Sequence, residues 1–126
     1  NKAFESGDFS TIRKYIDDNA VDHAGPNGDV KGGDSIIAAL SQWAKMTTDM
    51  KSVLKKEYTD NETVVQWMTV SGKMLVAGFS LKAGDRYNQD VVEITKFNAE
   101  SKATEHWEYV QMSDIMKMMG GPQPGK

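Results

Sequence analysis

A short stretch near the end of the chain carries a histidine and a glutamate two residues apart, and both residue types can transfer protons. The stretch, ATEHWEYVQ, begins at Ala103. On a strand, alternation would place His106 and Glu108 on one face of a sheet. The other face would then carry Glu105, Trp107 and Tyr109. Histidine titrates at about 6.5 and so exchanges protons near neutral pH, although the pair is equally compatible with a cross-strand ion pair or a satisfied polar pair in a half-wet cavity.

The chain has one further histidine, His23, and a glutamate in another predicted strand, Glu93. His23 is compatible with a strand-end histidine that bonds Asp22 or a loop carbonyl. An apolar cavity would keep Glu93 protonated, because burial disfavours the charged carboxylate, and Glu93 would then donate a hydrogen bond. The sequence contains no HxH or HExxH spacing, so we expect no metal site built from the histidines, and no cofactor.

The composition limits the classes of function. With 126 residues, of which 39% are hydrophobic and 26% charged, the chain fits one globular domain. A formal charge of −3 without a basic run makes nucleic acid and anionic lipid unexpected partners. Cysteine is absent, which excludes disulfides, thiolate catalysis and thiolate metal sites. The sequence begins at Asn1 rather than Met, so we expect an upstream segment, with or without a targeting sequence, and the compartment is not indicated.

Helical periodicity is confined to the first part of the chain and its end. After Gly7, FSTIRKYIDD predicts a short helix whose apolar face carries Phe9, Ile12, Tyr15 and Ile16. After the loop GPNGDVKGG, DSIIAALSQWAKMTTDM predicts the longest helix, capped by Asp34. A last short helix is predicted over Met112 to Met119, before a flexible Gly/Pro tail at residues 122–126.

Between these helices the period changes to alternation. Five segments predict an antiparallel meander: KSVLKKEYTD, ETVVQWMTV, KMLVAGFSL, DVVEITKFN and ATEHWEYVQ. The residues DN, SG, AGD and AES between them are typical of turns. Helices followed by strands indicate an α+β domain with helices on one face of the sheet. A sheet that curves around the long helix without filling the space would leave a pocket. Trp43, Trp67 and Phe79 are the aromatic residues expected to line its wall or the core.

The order of elements and several motifs resemble a known superfamily. FESGDFSTIRKYIDDNAVDHAGPNGDVKGGDSIIAAL resembles the opening of the ketosteroid isomerase, nuclear transport factor 2 and SnoaL-like superfamily, and VVEITKF and TEHWEYVQ resemble its last two strands. The resemblance implies a cystatin-like α+β barrel, in which a strongly curved antiparallel sheet wraps around three N-terminal helices and encloses a cone-shaped pocket. It also implies a single domain over residues 1–121, with its first helix truncated at the start of this sequence.

The resemblance implies roles for individual residues. His23 falls where ketosteroid isomerases hold their carboxylate general base, and Glu93 falls where they hold the acid that donates to the developing oxyanion. His106 falls on a strand position that faces the cavity. The phenol donor of the isomerases would lie before Asn1. Members that resemble limonene-epoxide hydrolase need an Arg and an Asp two residues apart, where this sequence has Gln66 and Met68, so that route of epoxide hydrolysis is not expected.

Two functions of different classes follow. The first is a cofactor-independent isomerase, cyclase or dehydratase that removes a proton next to a carbonyl of a small apolar substrate, with His23, Glu93, His106 and Glu108 as the candidate catalytic residues. The second is a non-catalytic domain that binds a small apolar ligand. In either case the resemblance implies a homodimer through the outer face of the sheet, to which Trp67, Trp107 and Tyr109 are suited.

Overall fold

The computed structural model describes residues 6–25, 27–78 and 81–118. The described helices are α1 (Phe9–Lys14), α2 (Gly33–Ala44) and α3 (Met112–Met118). The strands are β1 (Ile16–Asp22), β2 (Val30–Lys31), β3 (Thr47–Asp60), β4 (Thr63–Met74), β5 (Arg86–Phe97) and β6 (Ala103–Val110). The truncated first helix and the Gly/Pro tail predicted from the sequence lie outside the described residues.

The strands form one sheet in the order β2-β1-β6-β5-β4-β3. All neighbouring pairs are antiparallel except β1 and β6, which are parallel. The prediction of a wholly antiparallel sheet was therefore wrong: α2 carries the chain from β1 at one side of the sheet to β3 at the other, and the returning meander then brings β6 alongside β1 in the same direction. The sheet is open, with β2 and β3 at its edges, so barrel closure and strong curvature are not confirmed.

Helix α2 covers one face of the sheet, which we call the inner face. Alternation along the strands places Ala20, Met68, Tyr87 and Val91 on this face, and all four are buried. Ile36 of α2 is also buried, and the Trp43 ring lies 6.1 Å from the Tyr87 ring. The predicted α+β class, with helices packed on a sheet, is confirmed. Only two of the three described helices belong to the N-terminal part, because α3 follows the last strand.

The helix boundaries differ from the predictions at three points. Helix α1 ends at Lys14, so Ile16 begins β1, and Tyr15 is exposed rather than part of an apolar face. Helix α2 has Gly32 as its N-cap, without a side-chain cap. Asp34 lies in the first turn instead, where its carboxylate accepts a 2.8 Å hydrogen bond from Nε of Arg13. The last part of the predicted long helix is already strand, since β3 begins at Thr47.

The largest error in the predicted strands concerns the segment KMLVAGFSL. Strand β4 continues to Met74 through Ser71 and Gly72, where the sequence predicts a turn. The described residues 75–78 and 81 of this segment belong to no strand. The glycine has a packing reason: a Cβ at Gly72 would overlap the hydroxyl of Tyr87 and lie 3.0 Å from Oγ1 of Thr47. Gly72 therefore marks a close approach inside a sheet rather than a turn.

Candidate active site on the inner face

His106 is held between two carboxylates that come from its two neighbouring strands. Asp22 of β1 is the register partner of His106 across the parallel pair. Its Oδ1 lies 2.9 Å from Nδ1 of His106. On the other side, Oε1 of Glu93 on β5 lies 3.1 Å from Nε2 of His106. Both ring nitrogens are thus engaged.

These contacts keep His106 positively charged. Burial by itself would lower the pKa of His106, but the hydrogen bonds to Asp22 and Glu93 outweigh burial and raise it to about 10. Burial would likewise raise the pKa of Asp22, and the bond from His106 instead holds it below its usual value. At neutral pH both imidazole N–H groups donate, so His106 retains no free nitrogen to accept a proton from a substrate.

Glu108 lies directly opposite Glu93 in the register of β5 and β6. Burial raises the pKa of Glu108 to about 7, and repulsion from the Glu93 carboxylate acts in the same direction, while the His106 cation lowers it. The side chain is nevertheless exposed to solvent. Because water reaches this side chain, the nearby charge of Glu93 is a better-supported cause of the raised pKa of Glu108 than burial.

His23 lies on the opposite face of the sheet. Its Nδ1 is 3.0 Å from Oδ1 of Asp29, its Nε2 is 3.0 Å from Oε2 of Glu105, and its ring stacks at 4.9 Å on Trp107. The bonds to Glu105 and Asp29 raise the pKa of His23. The structure therefore does not bring His23 to Glu93 and His106, and the expected base and acid pair is not formed. The catalytic roles themselves stay predictions.

The contact between Glu93 and His106 also bears on the donor role that the resemblance implies for Glu93. Because His106 is protonated, Glu93 accepts this hydrogen bond. A carboxylate that accepts from a cation is poorly suited to donate to a substrate oxygen. Another side chain of the inner face would then have to donate the hydrogen bond to a negatively charged substrate oxygen.

The aromatic residues expected to line a pocket separate between the two faces. Trp43 lies on the inner side, beside Tyr87. Trp67 lies on the outer face, 41% exposed, with Nζ of Lys55 4.8 Å from the centre of its ring. Phe79 lies outside the described residues. An open depression lined by Asp60, Asn61, Glu62, Thr63 and Lys96 lies at the turn between β3 and β4, away from His106.

Asp22 is the residue that the sequence analysis missed. From the sequence, Asp22 was interpreted only as a partner of His23, although the base implied by the resemblance to ketosteroid isomerases is a carboxylate and Asp22 is the carboxylate next to His23. A shift of one residue along a strand moves a side chain to the other face. Matching by residue type would have selected Asp22 and left His23 on the outer face.

The described residues contain neither a group arranged to hold a metal ion nor a helix able to cross a membrane. Within residues 6–25, 27–78 and 81–118, no group of three or more histidine or acidic residues is arranged to hold a metal ion. Over the same residues, no helix is long and apolar enough to cross a membrane.

The sequence profile of the SnoaL-like domain matches residues 1–106, which include Asp22, Glu93 and His106. The chain belongs to the SnoaL-like domain family. No protein of curated function matches its sequence significantly.

Solved structures agree with this assignment. The SnoaL-like domain is similar to IdmH from Streptomyces antibioticus, provisionally assigned as a polyketide cyclase, with a TM-score of 0.77, 18% identity, and coverage of 94% of this chain and 91% of that one. A SnoaL-like polyketide cyclase from Agrobacterium tumefaciens has a TM-score of 0.77 and 14% identity, and the match covers 94% of this chain and 91% of that one. An LEH-like epoxide hydrolase from M. tuberculosis has a TM-score of 0.73 and 16% identity, and the match covers 94% of this chain and 81% of that one. At these identities the likeness establishes the fold and not the reaction.

Proposed function

We propose that this SnoaL-like domain removes a proton next to the carbonyl group of a small, largely apolar molecule, in the manner of an isomerase, cyclase or dehydratase. The observation that carries the proposal is the exposed Glu108 carboxyl, whose pKa is raised to about 7 beside a fixed histidine cation. A general base works best when its pKa is near the working pH. Glu108 meets that condition and is open to a substrate, whereas both nitrogens of His106 are engaged.

Each member of the group has its own part in the proposal. Glu108 takes the proton from carbon and returns it later in the reaction. His106 is a positioning residue that offsets part of the negative charge of Glu93 and Glu108. Asp22 keeps the imidazole charged and oriented from the far side, 2.9 Å from Nδ1.

The substrate pocket belongs to the proposal as well. We take the inner face to curve around α2 far enough to leave a pocket, with Trp43 contributing an apolar wall near the carboxylates. Two of the similar structures are named as polyketide cyclases, and polyketide chains are rich in carbonyl groups, which favours a carbonyl substrate over an epoxide.

The outer face supports a second part of the proposal, a homodimer. Trp67, Tyr58 and Tyr109 lie on this face and are 41%, 60% and 60% exposed. Aromatic side chains of this size are costly to leave in water and are enriched in interfaces.

Hydrogen–deuterium exchange tests the proposed chemistry without knowledge of the natural substrate. A panel of small apolar ketones is incubated with the protein in heavy water, and exchange at the carbons next to the carbonyl is followed by proton NMR. We expect exchange that Glu108→Gln slows by about 10²–10⁴-fold. Glu105→Gln, on the same strand but the opposite face, is the matched control and retains exchange.

The same panel separates the proposal from the non-catalytic alternative. Ketones that bind, detected as line broadening or chemical-shift changes, but exchange no faster than in buffer would favour a ligand-binding domain. Exchange that survives in Glu108→Gln would remove Glu108 from its role as base.

A further inference from the structure

The polar strip on the inner face continues beyond Glu108 and Glu93. In the register of the sheet, Glu93 pairs with Gln66 of β4, and Gln66 pairs with Glu57 of β3. Directly paired residues point to the same face. Four polar side chains thus form one row across four neighbouring strands, and Gln66 is the neutral member of that row.

The orientation of the Gln66 amide is fixed by its contact with Glu57. Nε2 of Gln66 donates a 2.8 Å hydrogen bond to Oε2 of Glu57. An ionised carboxylate only accepts hydrogen bonds, so the amide nitrogen, and not the amide oxygen, must face Glu57. The second N–H of the amide has no partner among the residues that the structure describes, and the side chain is half-buried, so this N–H is open to a ligand.

Removing a proton next to a carbonyl leaves negative charge on the carbonyl oxygen, which requires a hydrogen-bond donor that the acidic residues of the row do not supply. The C–H bond breaks, its electron pair forms the new C=C bond, the carbonyl π pair moves to oxygen, and the proton goes to the Glu108 carboxylate. The resulting negative oxygen is stabilised by a preorganised hydrogen-bond donor. Glu93 accepts from His106, and both N–H groups of His106 are engaged.

We propose that Gln66 is this donor, with its second amide N–H directed to the carbonyl oxygen of the substrate. The inference rests on the proposed function and adds a substrate-contacting residue to it. The substrate would then lie across Glu93, with its acidic carbon at Glu108 and its oxygen at Gln66.

The spacing of the strands fits this arrangement. Gln66 and Glu108 lie two strands apart, and two strand spacings are about 10 Å. A hydrogen bond of roughly 3 Å at each end leaves about 4 Å between the contacted atoms. The acidic carbon and the oxygen of a carbonyl compound are only about 2.4 Å apart, so the side chains of Gln66 and Glu108 would lean toward each other across Glu93 to reach both atoms.

The test uses the ketone panel with substitutions of Gln66. Gln66→Leu removes the amide, and we expect the maximal exchange rate at saturating ketone to fall by about 10²–10³-fold with little change in KM, because the donor acts on charge that develops only in the transition state. Gln89→Leu, which removes another inner-face glutamine about four residues along β5 from Glu93, is the matched control and should keep wild-type exchange. Gln66→Met, close in length to glutamine, replaces Gln66→Leu if the latter does not fold.

Binding of 4-nitrophenol, followed by the absorbance of its phenolate, provides a readout that does not depend on turnover. The phenolate oxygen mimics an enolate, so Gln66→Leu should weaken its binding about tenfold or more, while Gln89→Leu should not. Equal exchange and equal phenolate binding in wild type and Gln66→Leu would overturn the role of Gln66 and leave the proposed function standing. A wild-type protein that exchanges no ketone would overturn the proposed function and the role of Gln66 with it.

Discussion

Asp22 and His106 are direct partners on the parallel strands β1 and β6, and the two side chains meet at 2.9 Å between Oδ1 and Nδ1. This one contact joins residues separated by 84 positions in sequence. It exists only because β1 lies beside β6 in this register, since a slip of one residue would turn Asp22 to the outer face and bring His23 inward. The parallel pair is therefore the feature of the fold on which the inner cluster depends.

The two histidines should titrate independently and both above the value of a free histidine. NMR titration of the imidazole signals should give a midpoint near 10 for His106 and a midpoint above 6.5 for His23. Glu105→Gln should lower the midpoint of His23 and leave that of His106 unchanged, because the two rings lie on opposite faces. A His106 midpoint near 6.5 would contradict the assignment of a fixed cation.

The stability of the protein should fall as the pH rises from about 4.5 to 10. For Glu108, the folded pKa of about 7 lies above its ordinary value of 4.5, so ionisation above pH 4.5 disfavours the folded state. For His106, the folded pKa of about 10 lies above 6.5, so its contribution is complete below 6.5 and lost as the pH approaches 10. Urea unfolding at a series of pH values measures this fall.

Asp22→Asn should flatten that dependence above pH 6.5, because it removes one of the two charged partners that raise the pKa of His106. At pH 6.5 we expect a loss of about 1–3 kcal/mol in the free energy of unfolding. Asp60→Asn, an exposed change at the turn between β3 and β4, is the control. A pH dependence in Asp22→Asn that matches wild type would show that another group is responsible.

His106→Gln should raise the pKa of Glu108 above its value of about 7, because the imidazolium lowers that pKa and glutamine carries no charge. Carbon-13 NMR of labelled glutamate carboxyls, with Glu108→Gln for assignment, measures the change whether or not the protein turns over a ketone. His23→Gln, on the outer face, is the matched control and should leave the pKa of Glu108 in place. A Glu108 midpoint that stays unchanged in His106→Gln would mean that the imidazole is neutral in the folded protein.

The sequence and its family resemblance were sufficient for the class of the fold and for three of the four residues of the inner cluster, which are Asp22, Glu93, His106 and Glu108. Alternation along TEHWEYVQ correctly placed His106 and Glu108 on one face, and the family resemblance of VVEITKF placed Glu93 with them. The three residues do share a face, because β5 and β6 pair without a register shift between Glu93–Glu108 and Thr95–His106. The position of Asp22 could not be obtained in this way. It depends on a parallel pairing between distant segments, with a shift in register along β1, and neither leaves a local pattern.

Gly72 illustrates a second limit of local patterns. A Ser-Gly pair between apolar segments is typical of a turn, and the sequence analysis assigned it to one. In the fold, the glycine makes room for Tyr87 across the strand pair, and that requirement arises only from tertiary packing.

Gly72→Ala should therefore destabilise the protein by about 1–3 kcal/mol, as expected for overpacking a filled site. The added methyl group would displace the Tyr87 hydroxyl, which donates a 2.9 Å hydrogen bond to Thr47, whose own hydroxyl donates to the carbonyl oxygen of Lys73. Urea unfolding measures the loss, and Ser71→Ala, the neighbouring position on the outer face, should cost much less.

A double-mutant cycle locates the cause of that loss. Gly72→Ala should cost less in a Tyr87→Phe background than in wild type, because the hydroxyl is the atom nearest to the added methyl group. Equal costs in the two backgrounds would mean that backbone freedom, and not the contact with Tyr87, explains the glycine.

The proposed homodimer should depend on the exposed aromatic residues of the outer face. We expect the wild-type protein to have about twice its chain mass of 14.0 kDa in sedimentation at micromolar concentration. Tyr109→Lys and Trp67→Lys should shift it toward the monomer, because a lysine in a two-fold interface is desolvated near its own symmetry mate. Trp107→Lys is a poorer test, since Trp107 stacks on His23 and its loss would disturb the protomer. Tyr15→Lys, at a side chain 61% exposed outside the sheet, should leave the mass unchanged, and a monomeric wild-type protein would exclude the dimer.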